Sequence, residues 1–240
     1  MNEDTQLIEN PLIEVDKFLK AGAHIGTKMK TGEMRRFIYK ERKDGLKVLD
    51  IQTLNDRIKA IAGFLCRFES PQIVIVSHKL YGQKPAKEFG KAIGAKVLVG
   101  RFVPGTFTNP QSKEFIEPKV IISTESDSDM QAITEASSVH AVVISLVSTN
   151  NLLKNIDIAV PVNNKGRKSL ALVFWLLARE MLKAKGLVKT DAEFTPTIDD
   201  FEYKLKESEK EELREKFARD KFSKRPPRRD NNNRRKPSRR

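Results

Sequence analysis

Residues 119–147 read KVIISTESDSDMQAITEASSVHAVVISLV and decide the class of fold. Two short apolar runs rich in β-branched residues, 119–123 and 141–147, flank a polar loop and a helical pattern at about 128–138. A continuous apolar run of this length is typical of a strand buried on both faces, and a helix between two such runs indicates parallel pairing. The stretch therefore predicts a β-α-β unit.

The same alternation extends along the chain on both sides of this unit. Further strands are predicted at 72–77, 96–100 and 156–160, and further helices at 83–93 and 167–185. The connection from 96–100 to 119–123 is the exception, because it lacks a clear helical pattern. Five buried strands with short crossovers predict a flavodoxin-like, doubly wound α/β domain with a parallel five-stranded sheet.

The residues before the first strand predict a small N-terminal helix and a hairpin. Apolar side chains at helical spacing indicate a helix at 12–20, and a capping pattern at Thr53 opens a second helix that reaches about Phe68. Between them, Asp44-Gly45 is a hairpin turn signal that joins two short strands. We therefore expect one domain over 1–186, with its core at about 10–186.

Charge is unevenly distributed along the 240 residues. The chain has 45 Lys and Arg against 32 Asp and Glu, a net charge of +13 that indicates a polyanionic partner. Residues 221–240 carry ten basic groups, one acidic group and almost no apolar side chain. We expect a disordered basic tail there that binds nucleic acid or an anionic membrane, with an inert solubilising tail as the alternative. Residues 187–220 are expected to form a partly helical extension.

Several classes of protein are excluded by composition. The single cysteine, Cys66, excludes a disulfide framework and suits a reducing compartment. The longest uncharged apolar stretch, 169–178, is about half of a membrane span. The first residues are acidic and lack the apolar region of a secretory signal. We therefore expect a soluble protein of the cytoplasm.

Few residues could support catalysis or bind a metal. Ser77 and His78 are adjacent, but neighbours on an extended chain point to opposite faces, which favours a strand-end serine and a loop histidine. No zinc-binding spacing and no glycine-rich nucleotide motif occurs. Glu125, Asp127 and Asp129 indicate a solvated acidic loop before a helix, with weak magnesium binding as the alternative. We therefore expect no enzymatic activity, no cofactor and no metal.

Basic residues are predicted to gather at the carboxyl edge of the sheet, where open parallel sheets bind their ligands. Lys165, Arg167 and Lys168 lie at the start of the last helix, where positive charge opposes the helix dipole. Together with the free N–H groups of a helix start, these cations could hold a phosphate. The other cations predicted at this edge are Lys79, Lys84 and Arg101.

A second basic region and the tail add to this surface. Residues 28–47 contain eight basic and three acidic groups, and the candidates there are Arg35, Arg36, Lys40, Arg42 and Lys43. The tail candidates are Arg225, Arg228, Arg229, Arg234 and Arg235. Trp175 lies in an apolar helical stretch and is expected in the core, so stacking on bases is not indicated. We expect recognition of folded nucleic acid through its phosphates and shape.

Several blocks of sequence resemble a known family. Residues 101–109 read RFVPGTFTN, 156–166 read IDIAVPVNNKG, and 175–180 read WLLARE. With a glycine-histidine-glycine pattern at 22–26 and VLDIQTLNDRIKAIAGFL at 48–65, they resemble the small-subunit ribosomal protein S-two family over about residues 10–186. Bacterial members carry a long helical hairpin where this chain has only 110–117, so the chain is similar to the archaeal and eukaryotic branch. Its modest length is most like that of archaeal members.

The resemblance implies a flavodoxin-like domain without a coiled-coil insertion and without enzymatic activity. Its implied partners are small-subunit ribosomal RNA and neighbouring ribosomal proteins, with no membrane and no small-molecule substrate. Such a protein is a structural constituent of the small subunit that supports its assembly and translation. The family's blocks add four residues to the expected RNA-binding set: Thr106, Thr108, Asn109 and Asn164. The loop at 124–129 departs from the family's pattern, so no role is carried over to it.

Two rival functions remain open from the sequence. The first is an α/β enzyme that binds a phosphorylated small molecule through Lys165, Arg167 and Arg101. The second is a membrane-surface protein held by its basic arm, although one arm without a lipid anchor gives only weak, salt-sensitive adsorption.

Overall fold

The structure, a computed structural model, describes residues 12–188 and 194–204. Its first elements are the helix α1 (Val15–Ala21), the strands β1 (Ile38–Glu41) and β2 (Lys47–Leu49), and the helix α2 (Ile51–Leu65). β1 and β2 pair antiparallel around Gly45, whose φ of 82° is one that glycine adopts without strain. The predicted N-terminal helix and hairpin are therefore confirmed.

Among the described residues, five further strands form one parallel sheet. In chain order they are β3 (Ile73–Ser77), β4 (Lys96–Val99), β5 (Val120–Ser123), β6 (Val142–Val147) and β7 (Ile158–Pro161). Across the sheet their order is β4-β3-β5-β6-β7, with every neighbouring pair parallel. Counted from β3, this is the order 2-1-3-4-5 of flavodoxin-like folds. The predicted fold class is confirmed.

One face of the sheet is covered by helices. In the described part of the chain these are α2, α3 (Leu80–Ile93) and α5 (Arg167–Ala184), and α5 contacts both of the others. Eleven residues of α5 are buried, and nine of them belong to the main core together with alternate strand side chains such as Ile75, Ile122 and Ile144. The intervening residues of β3, β5 and β6, such as Val74, Ile121 and Val143, are buried on the other face. Burial on both faces explains why these strands are almost entirely apolar.

The opposite face is covered by the helix α4 (Met130–Ser138) and by side chains from loops. The connection 100–119 contains no helix, in agreement with its sequence pattern. Its Phe107 is buried against Val74, Ile121 and Val143, with its ring centroid 5.0 Å from that of Phe102. An aromatic side chain thus covers strand residues that a crossover helix would otherwise cover.

The connection 148–157, between β6 and β7, also lacks a helix, which the sequence pattern did not indicate. A 3₁₀ turn at Glu33–Phe37, just before β1, covers this part of the sheet instead. Its Met34 and Phe37 pack against Val147 of β6 and Ala159 of β7 in a small separate core. The N-terminal segment is therefore held in place by apolar surface that the short connection leaves open.

Two helices begin earlier than the sequence indicated. α2 starts at Ile51, because the carboxylate of Asp50 accepts hydrogen bonds from the backbone N–H groups of Gln52 and Thr53 at 3.1 and 3.3 Å. The predicted cap at Thr53 was therefore wrong by a few residues. α3 starts at Leu80 rather than residue 83, and it contains Pro85 within its length.

The described residues of the C-terminal extension pack against α5. Phe194 and Phe201 are buried in the main core, and Ile198–Phe201 form the short helix α6. Trp175 is half-buried at this contact: its Nε1 donates to the carbonyl of Pro196 at 2.7 Å, and its ring lies 5.9 Å from that of Phe194. The described residues up to Tyr203 belong to one compact unit. The domain boundary at 186 stays a prediction, and the predicted tail lies outside the described residues.

None of the helices in the described ranges combines the length and the apolar composition that crossing a bilayer requires.

Gly90→Ala tests how closely α3 packs on β4. A Cβ at Gly90 would overlap the Cγ2 atom of Val97 and lie 3.2 Å from the carbonyl oxygen of Ala95. We expect the substitution to lower the free energy of unfolding by about 1–3 kcal/mol, measured by urea denaturation. Gly63→Ala is the matched control, because Gly63 is exposed on α2 with open space around its Cβ position, and it should stabilise by about 0.5–1 kcal/mol. A neutral Gly90→Ala would contradict the close approach.

Candidate nucleic-acid interface

A buried carboxylate occupies the carboxyl edge of the sheet, where a ligand would be expected. Asp129, which precedes α4, is 2% exposed. Its Oδ1 accepts the N–H of His78 at 2.9 Å. Its Oδ2 accepts the Ser123 hydroxyl at 2.9 Å and the N–H groups of Thr124 and Glu125 at 3.1 and 3.2 Å. One side chain therefore joins the ends of β3 and β5 to the start of α4.

The environment of Asp129 acts on its protonation in two opposing directions. Burial raises the pKa of this carboxyl because it penalises the charged form. The hydrogen bonds from His78, Ser123, Glu125 and Thr124 lower the pKa, but they do not outweigh burial. Asp129 thus keeps a raised pKa even though its oxygens accept several hydrogen bonds.

Glu125 is a second buried acid in the same loop. It is 3% exposed, forms an ion pair with Lys79, and accepts the Ser128 hydroxyl at 2.6 Å. The expectation of a solvated acidic loop was therefore wrong for Glu125 and Asp129, because both carboxylates bind donors of the protein itself. Asp127 is exposed as expected. No group of three or more His, Cys, Asp or Glu among the described residues could hold a metal ion.

Two buried asparagines form hydrogen bonds at the neighbouring ends of β6 and β7. The Asn151 Oδ1 atom accepts the N–H of Ser148 at 2.8 Å and an N–H of the Asn164 amide at 2.9 Å. Asn164 also donates to the carbonyl of Leu146 at 3.1 Å and is 1% exposed. Asn151 in turn donates to Asp127 at 2.6 Å, which links this pair to the acidic loop. Asn164 thus has a structural contact, and its role in binding RNA stays a prediction.

Ser77 and His78 do not form a catalytic pair. The Ser77 hydroxyl is buried and lies 3.1 Å from the hydroxyl of Thr124, whereas the His78 side chain is exposed and makes no hydrogen bond to Ser77. The prediction of a strand-end serine and a loop histidine is confirmed. The edge is thus filled by a hydrogen-bonded polar network that holds the loops and offers no activated nucleophile at Ser77.

Some predicted phosphate-binding cations contact the C-terminal segment of the described chain. Lys84 donates from Nζ to the carbonyl of Glu202 at 2.8 Å, and Arg167 donates from Nη1 to the carbonyl of Tyr203 at 3.4 Å. Because α3 begins at Leu80, Lys84 lies in the second turn of the helix. Lys79, Lys84 and Arg167 all have protein partners, so their role in binding phosphate stays a prediction.

Lys165 and Lys168 are exposed at the start of α5. The helix begins at Arg167, and the residue before it, Gly166, has no side chain that could accept from the first N–H groups. Positive side chains at this end oppose the helix dipole, as their positions in the sequence indicated. The structure therefore leaves two cations and a positive helix end at the surface.

The connection 100–119 begins at the same end of the sheet and presents several exposed residues. Arg101, Thr108 and Asn109 are exposed, whereas Thr106 is buried and donates its hydroxyl to the carbonyl of Val103 at 2.6 Å. The loop is held by Glu135 of α4, whose carboxylate accepts the N–H of Gly105 at 2.8 Å and that of Phe107 at 3.3 Å. This role of Glu135 was missed at the level of sequence, since a lone acid on a helix does not reveal which loop it faces.

The N-terminal basic region lies on the 3₁₀ turn and the hairpin. Arg35, Arg36, Arg42 and Lys43 are exposed, and Lys40 is half-buried. Arg42 is paired loosely with Asp44, its Nε atom lying 3.8 Å from the carboxylate. We call these five basic residues the hairpin cluster.

A further arginine, Arg57 of α2, approaches the hairpin cluster. The guanidinium carbon of Arg36 lies 4.8 Å from the centroid of the Phe37 ring, and that of Arg57 lies 5.9 Å from it. Sequence reasoning missed Arg57 because a single basic residue on a helix gives no sign of its neighbours. The tail candidates at 225–235 lie outside the described residues.

One family of known proteins matches part of the chain. The family model described as ribosomal protein S2 matches residues 111–184, which run from the middle of the 100–119 connection through β5, α4, β6 and β7 to the end of α5. The match includes the 156–166 block and begins after the 101–109 block. It supports the family resemblance over this part of the chain.

Asp129→Asn tests the buried carboxylate at the carboxyl edge. The substitution places an amide nitrogen where Oδ1 or Oδ2 now accepts N–H groups, so at least one buried donor loses its acceptor. We expect the free energy of unfolding to fall by about 1–3 kcal/mol in urea denaturation at neutral pH. Asp56→Asn, on the exposed side of α2, is the matched control and should stay within about 0.5 kcal/mol. Equal losses in both variants would contradict a special role for Asp129.

The raised pKa of the Asp129 carboxyl predicts how the stability of the protein changes with pH. A group that binds its proton more tightly in the folded state contributes most to stability below its unfolded pKa, about 3.9 for Asp, and loses that contribution as the pH rises through its folded pKa. We therefore expect the stability difference between wild type and Asp129→Asn to be larger below pH 4 than at pH 7. Urea denaturation across this range measures it, and a difference that grows with pH would contradict the raised pKa.

Proposed function

We propose that this chain is a structural protein of the small ribosomal subunit, a member of the ribosomal protein S2 family that binds small-subunit ribosomal RNA through phosphate and shape contacts. The observation that carries the proposal is the contrast between a carboxyl edge closed by buried polar side chains and the exposed cations beside it. The match over residues 111–184 supports the family assignment.

The exposed cations suit the backbone of a folded RNA. Lys165 and Lys168 at the start of α5 and Arg101 on the 100–119 connection belong to the carboxyl end of the sheet, and the hairpin cluster adds a second group. Lysine and arginine that neutralise phosphates release counterions, which supplies affinity without reading sequence. The exposed Thr108 and Asn109 can add hydrogen bonds to phosphate or sugar.

The closed edge argues against the enzyme alternative. A phosphorylated substrate would need room at the ends of β3, β5 and β6, but those ends are joined by the buried Asp129, Asn151 and Asn164. Opening that space would break several hydrogen bonds of buried groups, each costly to leave unsatisfied. We propose no reaction and no cofactor for this chain.

The connection before β5 supports the archaeal and eukaryotic branch of the family. In the described structure, residues 110–117 pass from the loop to β5 without a helix. We further propose neighbouring ribosomal proteins as partners and the cytoplasm as the location.

Sedimentation of a cell lysate through sucrose gradients tests the proposed function. The full chain should migrate with small ribosomal subunits at low salt. It should stay with them at high salt, because salt weakens the attraction between exposed charges but not the shape and hydrogen-bond contacts of the folded domain. A chain that ends at residue 220 is the control for adsorption by the tail and should also migrate with the subunits. Full chain found only at the top of both gradients would contradict the proposal.

A further inference from the structure

An open cavity of about 680 Å³ lies between the 3₁₀ turn, α2 and the connection that leads into β7. Its volume falls within the range of about 300–1,000 Å³ that is usual for ligand pockets. The cavity exists because the β6–β7 connection lacks a helix, and Met34 and Phe37 cover only part of the sheet surface left open. What remains is a concave site with three kinds of lining.

The first kind of lining is apolar. Leu153, Ile156 and Ala159 line the cavity, and all three belong to the small core beneath the 3₁₀ turn. A flat apolar group that covered them would remove their surface from water, worth about 25 cal/mol for each Å² of apolar area.

The second kind of lining is positive. Arg35, Arg36 and Arg57 all line the cavity, and none of them forms an ion pair with a carboxylate of the described residues. The guanidinium groups of Arg36 and Arg57 lie against the ring of Phe37, which restricts their positions. Preplaced guanidinium groups suit bidentate binding of a phosphate.

The third kind of lining is a pair of carboxylates held by backbone groups. Glu33 accepts the N–H of Leu153 through Oε2 at 2.8 Å, and Asp157 accepts the N–H of Val143 through Oδ2 at 2.8 Å. The second oxygen of each carboxylate makes no hydrogen bond to the described residues and can accept one from a ligand. An acidic peptide would be repelled by both carboxylates, and a phosphate alone would leave the apolar lining unused.

We infer that this cavity binds one unpaired nucleotide that is extruded from a folded RNA. The base covers Leu153, Ile156 and Ala159 and donates N–H groups to the free oxygens of Glu33 and Asp157, while its phosphate binds the arginines. Guanine suits the site, since its Watson–Crick edge carries neighbouring N–H donors. This inference rests on the proposed function and deepens it, because it adds recognition of a base to recognition of the phosphate backbone.

The test compares two RNA hairpins, identical except that one carries a single bulged guanine. Fluorescence anisotropy measures the Kd of the full chain for each, and the ratio of the two values cancels non-specific binding by the basic tail. We expect the bulged hairpin to bind about tenfold more tightly, equivalent to about 1.4 kcal/mol. Gly32→Trp should reduce this ratio to about one and leave the Kd for the paired hairpin within about twofold.

Gly32 allows the cavity to be filled without a change in charge. It lines the cavity, its φ is −59°, and a Cβ there would meet nothing within 4 Å, so a tryptophan adds bulk without backbone strain. Gly63→Trp is the matched control: Gly63 is equally open, lies outside the cavity, and should keep the wild-type ratio.

The remaining outcomes contradict either the nucleotide site or the proposed function. Equal Kd values for the two hairpins in the wild type, or an unchanged ratio in Gly32→Trp, would overturn the nucleotide site and leave the proposed function intact. Failure of the full chain to bind either hairpin at low salt would overturn the proposed function itself. Displacement of the bulged hairpin by poly-glutamate from wild type but not from Gly32→Trp would assign the cavity to an acidic peptide instead.

Discussion

Both faces of the parallel sheet are apolar and must be shielded from water. This requirement determines where most of the remaining chain lies. On one face α2, α3 and α5 supply the cover, with α5 packed against both neighbours. On the other face two crossovers lack a helix, so Phe107 and the 3₁₀ turn bring apolar side chains to the exposed strands. The same 3₁₀ turn carries Arg35 and Arg36. The apolar contacts of Met34 and Phe37 thereby fix where these positive charges lie on the surface.

The carboxyl edge and the basic surface have opposite characters. At the edge, the buried carboxylates of Asp129 and Glu125 accept hydrogen bonds from strand ends and loops, and the buried amide nitrogen of Asn164 donates to Leu146 and Asn151. Around it, cations such as Lys165, Lys168 and Arg101 remain exposed. This division suits a protein whose interior holds loops in fixed positions and whose surface meets a large polyanion, because rigid loops keep the cations in register with phosphates.

The strands were predictable because a buried parallel strand shows as a short apolar run, whatever its partners. Exposed cations such as Lys165 and Arg35 were predictable because charge patterns are local. The burial of Glu125 and Asp129 was not, since their donors include Lys79 and His78, some fifty residues earlier in the chain. The cavity was not predictable either: it depends on a helix missing between β6 and β7 and on Arg57, which the fold brings close from α2. Hydrogen bonds and gaps between distant segments leave no local pattern.

Trp175 is the only tryptophan of the chain. Its indole N–H donates to the carbonyl of Pro196, its ring contacts that of Phe194, and the guanidinium carbon of Arg179 lies 4.9 Å from the ring centroid. Its surroundings are thus set by the packing of residues 194–196 on α5. The tryptophan fluorescence of this protein is therefore a built-in optical reporter of that packing. Detachment of the C-terminal segment would change the emission while the sheet, which contains no tryptophan, stayed folded.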